Sequence, residues 1–385
     1  MDSYISLLII GAGPFGLSLA AEAQHLDINY MIVGKPMGFW QENMPTGMFL
    51  RSACDWHLDP NNKNTIEAYL LTQGLTPADV EPLSLAFYLN YAAWFQTQQG
   101  IEPVPIFVQQ LDVFPEQTPR FRATMADGST IYADHVAIAP GFKPFKNEPA
   151  ELVAHFPAGR YSHTCDHVDF SDMAKQRCLI VGGRQSAFEW TALLQEAGAT
   201  AVHVVHRHDT PAFTEADWSW VNPLVDAMID NPGWFRNLTP SEKDEVDKRL
   251  WAEGRLKVEP WLAERVLIDR VHLWPNSFIT ACDEMPDGAL TVTLNTGTTL
   301  TVDHIILATG YRVNMDYVPY LAQGNILDNL ATTDGYPLLD EHFQTNIPGL
   351  FITSMPAIRD FGPFFAFTIS VRTSAKLIGQ ELVQF

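Results

Sequence analysis

Apolar and polar positions come in short blocks along the chain. Residues 4–10, Tyr-Ile-Ser-Leu-Leu-Ile-Ile, form an apolar run that ends at Gly11-Ala-Gly13-Pro14-Phe15-Gly16. Leu17 to Leu26 then carries an Ala- and Leu-rich helical pattern, and Asn29 to Val33 is a second short run. This order predicts strand, glycine turn, helix, strand: the opening of a βαβ unit. In such a turn the first glycine permits the bend and the second lets the backbone approach a pyrophosphate. The third lets helix and strand pack closely, and the helix N-terminus stabilises the anion.

The pattern recurs. Lys175 to Val181 leads into Gly182-Gly183-Arg184-Gln185-Ser186-Ala187, a helical stretch Phe188 to Ala197 and a strand Ala201 to Val205. A second block also repeats. Thr124 to Gly128 followed by Asp134 to Ala139-Pro140-Gly141 parallels Thr293 to Gly297 followed by Asp303 to Ala308-Thr309-Gly310. The offsets are 171 residues for Gly11 to Gly182 and 169 for Asp134 to Asp303. Two ordered repeats at nearly one spacing predict two similar nucleotide-binding domains. Between them, residues 36–65 read as a long loop and 82–99 as a helix. Residues 211–265 hold five of the ten tryptophans and a charged helix over 241–251, and read as an insertion. The tail reads as a strand ending near Ser354, then Gly362-Pro363-Phe364 at a helix start and a closing helix over 367–383.

Composition narrows the function. At 385 residues the chain suits two or three domains, and 46% hydrophobic residues against 18% charged ones suit ordinary cores. The formal net charge of −21 speaks against nucleic acid and against docking on anionic lipid. No run approaches a membrane span, and the start shows no signal peptide, so a cytoplasmic protein is expected. Cys54, Cys165, Cys178 and Cys282 are scattered without a C-x-x-C pair, which excludes a redox dithiol of that type and a zinc ribbon. His203, His206 and His208 alternate on one strand, but one element seldom supplies a whole ligand set, and no metal is expected. No G-x-S-x-G elbow presents a nucleophile.

The two turns differ. After the first, Val33 is followed by Gly34-Lys35 rather than by the acidic residue that commonly holds a ribose. The second keeps fully only its first glycine, and its strand ends in His206-Arg207-His208, a basic cluster that favours NADPH over NADH. The segment Met48 to Pro60 is the most unusual polar cluster. Arg51 is a candidate to balance charge on a reduced flavin, and Asp55 or His57 to handle a proton; the alternative is a loop that holds its own backbone.

These features resemble the class B flavin-dependent monooxygenases: the flavin-containing monooxygenases and their N-hydroxylating branch. The resemblance rests on the tandem glycine motifs, on Gly38-Phe39-Trp40 and on Asp303-x-x-x-Leu307-Ala308-Thr309-Gly310-Tyr311, and it covers nearly the whole chain. A further family signature is partial, with Gly159 and His163 kept, Phe156 displaced by one position and His167 in place of an aromatic residue. The resemblance implies an α/β fold of two three-layer Rossmann-like domains, the second inserted in the first. An FAD domain would span 1–145 and 312–385, and an NADPH domain 146–311. FAD would meet Gly11, Gly13, Pro14, Phe15, Gly16, Gly34, Lys35, Phe39, Trp40, Met48, Arg51, Ser52, Val108, Ala139, Gly141, Gly362, Pro363 and Phe364. NADPH would meet Gly182, Gly183, Arg184, Gln185, Ser186, Arg207 and His208, with Ala308, Thr309, Gly310 and Tyr311 linking the two sites. The implied chemistry is hydride transfer to FAD, reaction with O2 to a C4a-(hydro)peroxyflavin, and N- or S-oxygenation or N-heterocycle hydroxylation of a small molecule. An NAD(P)H oxidase or reductase with a small acceptor, or a flavin-binding sensor, is the alternative.

Overall fold

The computed structural model describes residues 3–384. Strand β1 (Ser3–Ile10) is fully apolar and buried over Leu7 to Ile9, as expected of a strand covered on both faces. It pairs in parallel with β2 (Tyr30–Val33) and β5 (Thr130–Ile138). The N-terminal half of β5 forms an antiparallel meander with β4 (Phe121–Met125) and β3 (Val108–Val113), while its end pairs in parallel with the strand Leu350–Ile352. The second sheet is parallel throughout: β6 (Tyr161–His163), the strand His304–Leu307, β7 (Arg177–Val181), β8 (Ala201–Val205) and the strand Val271–Trp274, in that spatial order. Its meander is Ile279–Glu284, Leu290–Leu294 and Thr299–Val302. The chain is thus an α/β protein with two Rossmann-type sheets.

The repeat is visible at one contact. Gly11 (φ +112°) lies so close to the neighbouring strand that a Cβ would stand 2.2 Å from the Ala139 carbonyl oxygen. Gly182 (φ +147°) meets the Ala308 carbonyl in the same way, at 2.4 Å. Helix α1 (Pro14–His25) then crosses the first turn so tightly that a Cβ on Gly16 would be 1.8 Å from Gly11 O. Helix α2 (Gln185–Glu196) follows the second turn, with the buried Ala187 at the third-glycine position. One difference separates the copies. The nine-residue β5 serves both meander and parallel sheet, whereas its counterpart is divided at Asp303, whose carboxylate accepts from the Arg177 backbone N (2.8 Å) and Nε (3.0 Å).

Helix α1 starts at Pro14, earlier than its apolar pattern, because proline's fixed φ suits the first helical position. Helix α3 (Val371–Leu382) starts later than the sequence suggested: two 3₁₀ turns, Pro363–Ala366 and Thr368–Ser370, precede it. It packs against α1 at Gly379, where a Cβ would stand 2.9 Å from Glu22 and Leu26 side chains. Lys376 Nζ pairs there with the buried Glu22 (2.8 Å). Two connections run side by side between the sheets: Asn147 N donates to Gly310 O (2.9 Å) and Arg312 N to Phe145 O (2.7 Å).

Residues 211–265 leave the second sheet and pack on the other domain's loop and tail. Trp56, Val221, Val225, Leu250, Phe364 and Ile369 form one buried cluster. Trp56 Nε1 donates to Asn222 Oδ1 (3.0 Å), Thr373 Oγ1 to Val225 O (3.1 Å) and Arg51 Nε to Glu259 Oε1 (2.7 Å). The insertion therefore bridges from the second sheet to the loop 48–60 and the C-terminal tail.

Gly11→Ala and Gly16→Ala each force a methyl into a backbone carbonyl and should cost about 3 kcal/mol or more, read as a lower first thermal transition. Gly13→Ala should leave that transition within about 1 kcal/mol, since nothing lies within 4 Å of its added Cβ. Arg51→Ala strands the buried Glu259 carboxylate and should cost roughly 3 kcal/mol. Limited proteolysis should then cut within 211–265 faster; an unchanged cleavage rate would contradict the docking role.

Candidate active site

The first turn offers an anion cradle. The first helical hydrogen bond of α1 runs from Leu17 N to Gly13 O, and no side chain caps the start. The N–H groups ahead of it point out of the helix at its positive end. Gly13 has open space where a Cβ would be, while Gly11 and Gly16 have none. This donor set fits a pyrophosphate such as that of FAD. Beside it, Gly34 (φ +121°) turns the chain out of β2 and Lys35 Nζ pairs with Glu42 (2.6 Å) on the surface. Val108 begins β3 in the buried core. Ala139 supplies the carbonyl under Gly11, and Gly141 (φ +68°) turns the chain into the connection.

Gly38-Phe39-Trp40 is a pin rather than an open platform. Trp40 stacks on buried Tyr88 at 4.8 Å. Phe39 packs on Phe142 and Tyr311 of the two connections, and Tyr311 meets His163 edge-on at 5.3 Å. His163 Nε2 lies 3.0 Å from Gly310 O, so the partial family signature holds the domain connection in place.

The loop 48–60 corrects two expectations. Arg51 is committed to the insertion: besides Glu259 it donates to Gly254 O (3.0 Å) and lies over Trp218. With its charge already paired, it is not free to balance a reduced flavin. His57 is buried between two donors: Arg372 Nη1 lies 2.8 Å from Nε2, and the Asp59 backbone N–H donates to Nδ1 (3.2 Å). Burial, then the Arg372 charge, pushes its pKa down to about 3. The ring is therefore held neutral and is a weak base. Asp55 is exposed and accepts from Asn222 Nδ2. The fully buried Asp59 accepts from the N–H groups of Asn61 (2.8 Å), Lys63 (3.1 Å) and Asn64 (2.7 Å) and from Gln99 (3.2 Å). The segment thus holds its own backbone. Met48 is half-buried between the two cores, and Ser52 Oγ contacts Thr368 Oγ1 (3.1 Å).

Gly362-Pro363-Phe364 departs from the expected helix start. Only a four-residue 3₁₀ turn follows Gly362, so no long helix dipole begins there. Phe364 is fully buried against Trp220 (5.4 Å), and Gly362 (φ +100°) packs under Phe235. This segment seats the insertion.

At the second turn, Arg184 stands where Gly13 stands in the first and lies over the Trp251 ring at 5.3 Å. No side chain caps α2. Gly183 cannot carry a Cβ, which would meet His206 at 2.6 Å. Gln185 Oε1 accepts from Glu259 N (3.0 Å), while Ser186 and Arg207 are exposed. His208 Nδ1 lies 2.6 Å from Asp209 O, and His206 leaves a buried Nε2 without a partner. Thr309 Oγ1 donates to Asn147 O, so Thr309 serves the connection.

Several groups had no sequence signal because their partners lie far along the chain: Arg372 on His57, Glu259 on Arg51, Asn222 on Asp55. Glu189 on α2 is another. It is fully buried, accepts from Trp261 Nε1 (3.0 Å), and burial raises its pKa to about 7. The cysteines are buried free thiols. Burial pushes Cys54 and Cys178 up to about 12, and Cys165 and Cys282 up to about 11, values that leave almost no thiolate. Among the described residues no cluster of three or more His, Cys, Asp or Glu could hold a metal ion, and no helix is long and apolar enough to cross a membrane.

Comparison with known proteins agrees with this architecture. An ornithine N-hydroxylase from Kutzneria sp. 744, in a structure with reduced FAD, NADP+ and L-ornithine, superposes with TM-score 0.78 at 15% identity over 99% of both chains. L-Lysine 6-monooxygenase from Pseudomonas syringae gives 0.77 at 20%, again over 99% of both. FAD-dependent urate hydroxylase from Xanthomonas campestris pv. campestris is 26% identical over 123 residues, 31% of this chain and 26% of that one. The chain thus matches about a quarter of that relative's length. A family profile described as pyridine nucleotide-disulphide oxidoreductase matches residues 8–248. The chain belongs to the pyridine nucleotide-disulphide oxidoreductase family, and its fold is that of the flavin-dependent N-hydroxylating monooxygenases.

Proposed function

We propose that this chain is an FAD- and NADPH-dependent monooxygenase acting on a small molecule. The observation that carries the reading is the pair of uncapped helix starts, each fixed by the same glycine-to-carbonyl contact. The first turn, open at Gly13, would hold the FAD pyrophosphate. The second, with Arg184 at its head and Arg207 exposed at the end of β8, would hold NADPH, Arg207 taking the 2′-phosphate. Bound FAD supplies hydride acceptance and reaction with O2. The chain's own task is to orient and to exclude water: Trp56, Trp218 and Trp220 fill the junction of insertion, loop and tail. Around it Arg51 is paired and His57 is held neutral.

The same residues weigh against disulfide reduction, because the cysteines are buried and almost wholly protonated. An oxidase that merely releases peroxide remains the second reading.

Protein loaded with FAD should oxidise NADPH with matching oxygen uptake, and an accepted substrate should suppress peroxide and yield an oxygenated product. NADPH consumption without oxygen uptake would overturn the reading; peroxide stoichiometric with NADPH across all substrates would favour the oxidase. Gly13→Val should retain the apo fold yet lose at least about 10-fold in FAD affinity, about 1.4 kcal/mol. Arg207→Ala should lower the preference for NADPH over NADH by roughly 10-fold or more, the loss of one charge-assisted contact, measured as the ratio of kcat/KM values.

A further inference from the structure

We propose that Arg255 anchors the substrate and that the substrate is a small planar anion; the inference rests on the monooxygenase reading and names the ligand class of that same site. Arg255 ends a π-helical turn, Trp251–Arg255, that follows the helix Pro240–Leu250. Such single π turns displace a side chain from its helical register and are frequent at functional sites. Its neighbour Gly254 is fixed from two sides. The Gly254 carbonyl accepts from Arg51 Nη2 (3.0 Å), and a Cβ there would stand 2.2 Å from the Trp218 ring. The position of Arg255 is therefore set by the packed core of the insertion.

Its surroundings are flat rings and other cations. The guanidinium lies 5.4 Å from the Trp251 centroid and 5.5 Å from that of Phe367, next to Thr368, which contacts Ser52. Arg184 lies over the same Trp251 indole at 5.3 Å. Arg312 and Arg359 act with Arg255 on the half-buried Tyr336 hydroxyl.

Arg359 is paired with Asp334 (3.6 Å), and charge balance separates Arg255 and Arg184 from such neighbours. Arg51 is matched by Glu259 and Lys257 by Glu253. Among the described residues, Arg255 and Arg184 have neither an ion pair nor a hydrogen bond through their guanidinium groups. Asp247 attracts Arg255 only at longer range. A partly desolvated guanidinium without an anion is unfavourable, and one that gains a bidentate carboxylate, enolate or imidate partner is stabilised. Stacking surfaces on Trp251 and Phe367 add a preference for a planar ligand. In a chain of net charge −21, this local excess of positive charge stands out. An amine cation would meet repulsion here.

Calorimetric titration of the FAD-loaded protein with urate and with benzoate, against L-ornithine and L-lysine, tests the assignment. The wild type should bind at least one of the anions and prefer it to both amino acids. Arg255→Gln should weaken that binding by about 10- to 100-fold, and Arg255→Lys should recover part of it. Arg249→Gln removes an exposed arginine stacked on Trp220 (4.2 Å) and serves as the control, with unchanged binding expected. A thermal melt of each variant checks that it is folded. Binding of neither anion by the wild type, preference for the amino acids, or equal binding by Arg255→Gln would overturn the anchor. Anaerobic bleaching of the wild-type flavin by NADPH is followed in parallel: bleaching without anion binding refutes the anchor alone, whereas no bleaching refutes the monooxygenase reading.

Discussion

The structure depends on one backbone contact made twice. Gly11 and Gly182 each bring a turn against the carbonyl of the residue just past the neighbouring strand, Ala139 or Ala308. Neither position has room for a methyl. The contact fixes where the strand ends, where the helix begins, and hence which way the free N–H groups of that helix point. Because it recurs with the same partners, the two helix starts are built as equivalents, and their difference lies in side chains: open space at Gly13, a guanidinium at Arg184. On the proposed reading, one start admits a pyrophosphate against bare backbone and the other would meet its ligand with a charge.

The second dependence is the insertion. It is cut from the chain of one sheet and bound to the loop and tail of the other. Its hold is partly apolar, through Trp56, Val221, Val225 and Phe364, and partly ionic, through Arg51 and Glu259. A buried pair is a poor source of net stability but a strong penalty when half of it is removed. Arg51 and Glu259 therefore act more as a register than as glue. They determine that residues 251–255 present Arg255 beside Phe367 and not elsewhere.

The turns and the repeat were legible because their information is local. Glycine spacing, apolar runs and a constant offset state the βαβ units without reference to the rest of the fold. The loop 48–60 was misread for the opposite reason. Arg51 and His57 look like free polar groups until Glu259 and Arg372 arrive from 208 and 315 residues away. Gly362-Pro363-Phe364 has the residue types of a helix start, yet Phe364 is drawn into the Trp220 cluster and the long helix begins only at Val371. Arg255 carried no signal at all, since its significance lies in the partners it lacks.

The central claim is that two equivalent turns receive two different nucleotides in one cleft. A crystal structure of the protein grown with FAD and NADP+ tests it most directly. The account predicts the FAD pyrophosphate at the start of α1, against Gly13, and NADP+ at the start of α2, with a phosphate within hydrogen-bond reach of Arg184 or Arg207. NADP+ at the first turn, or an empty second turn at saturating NADP+, would contradict it.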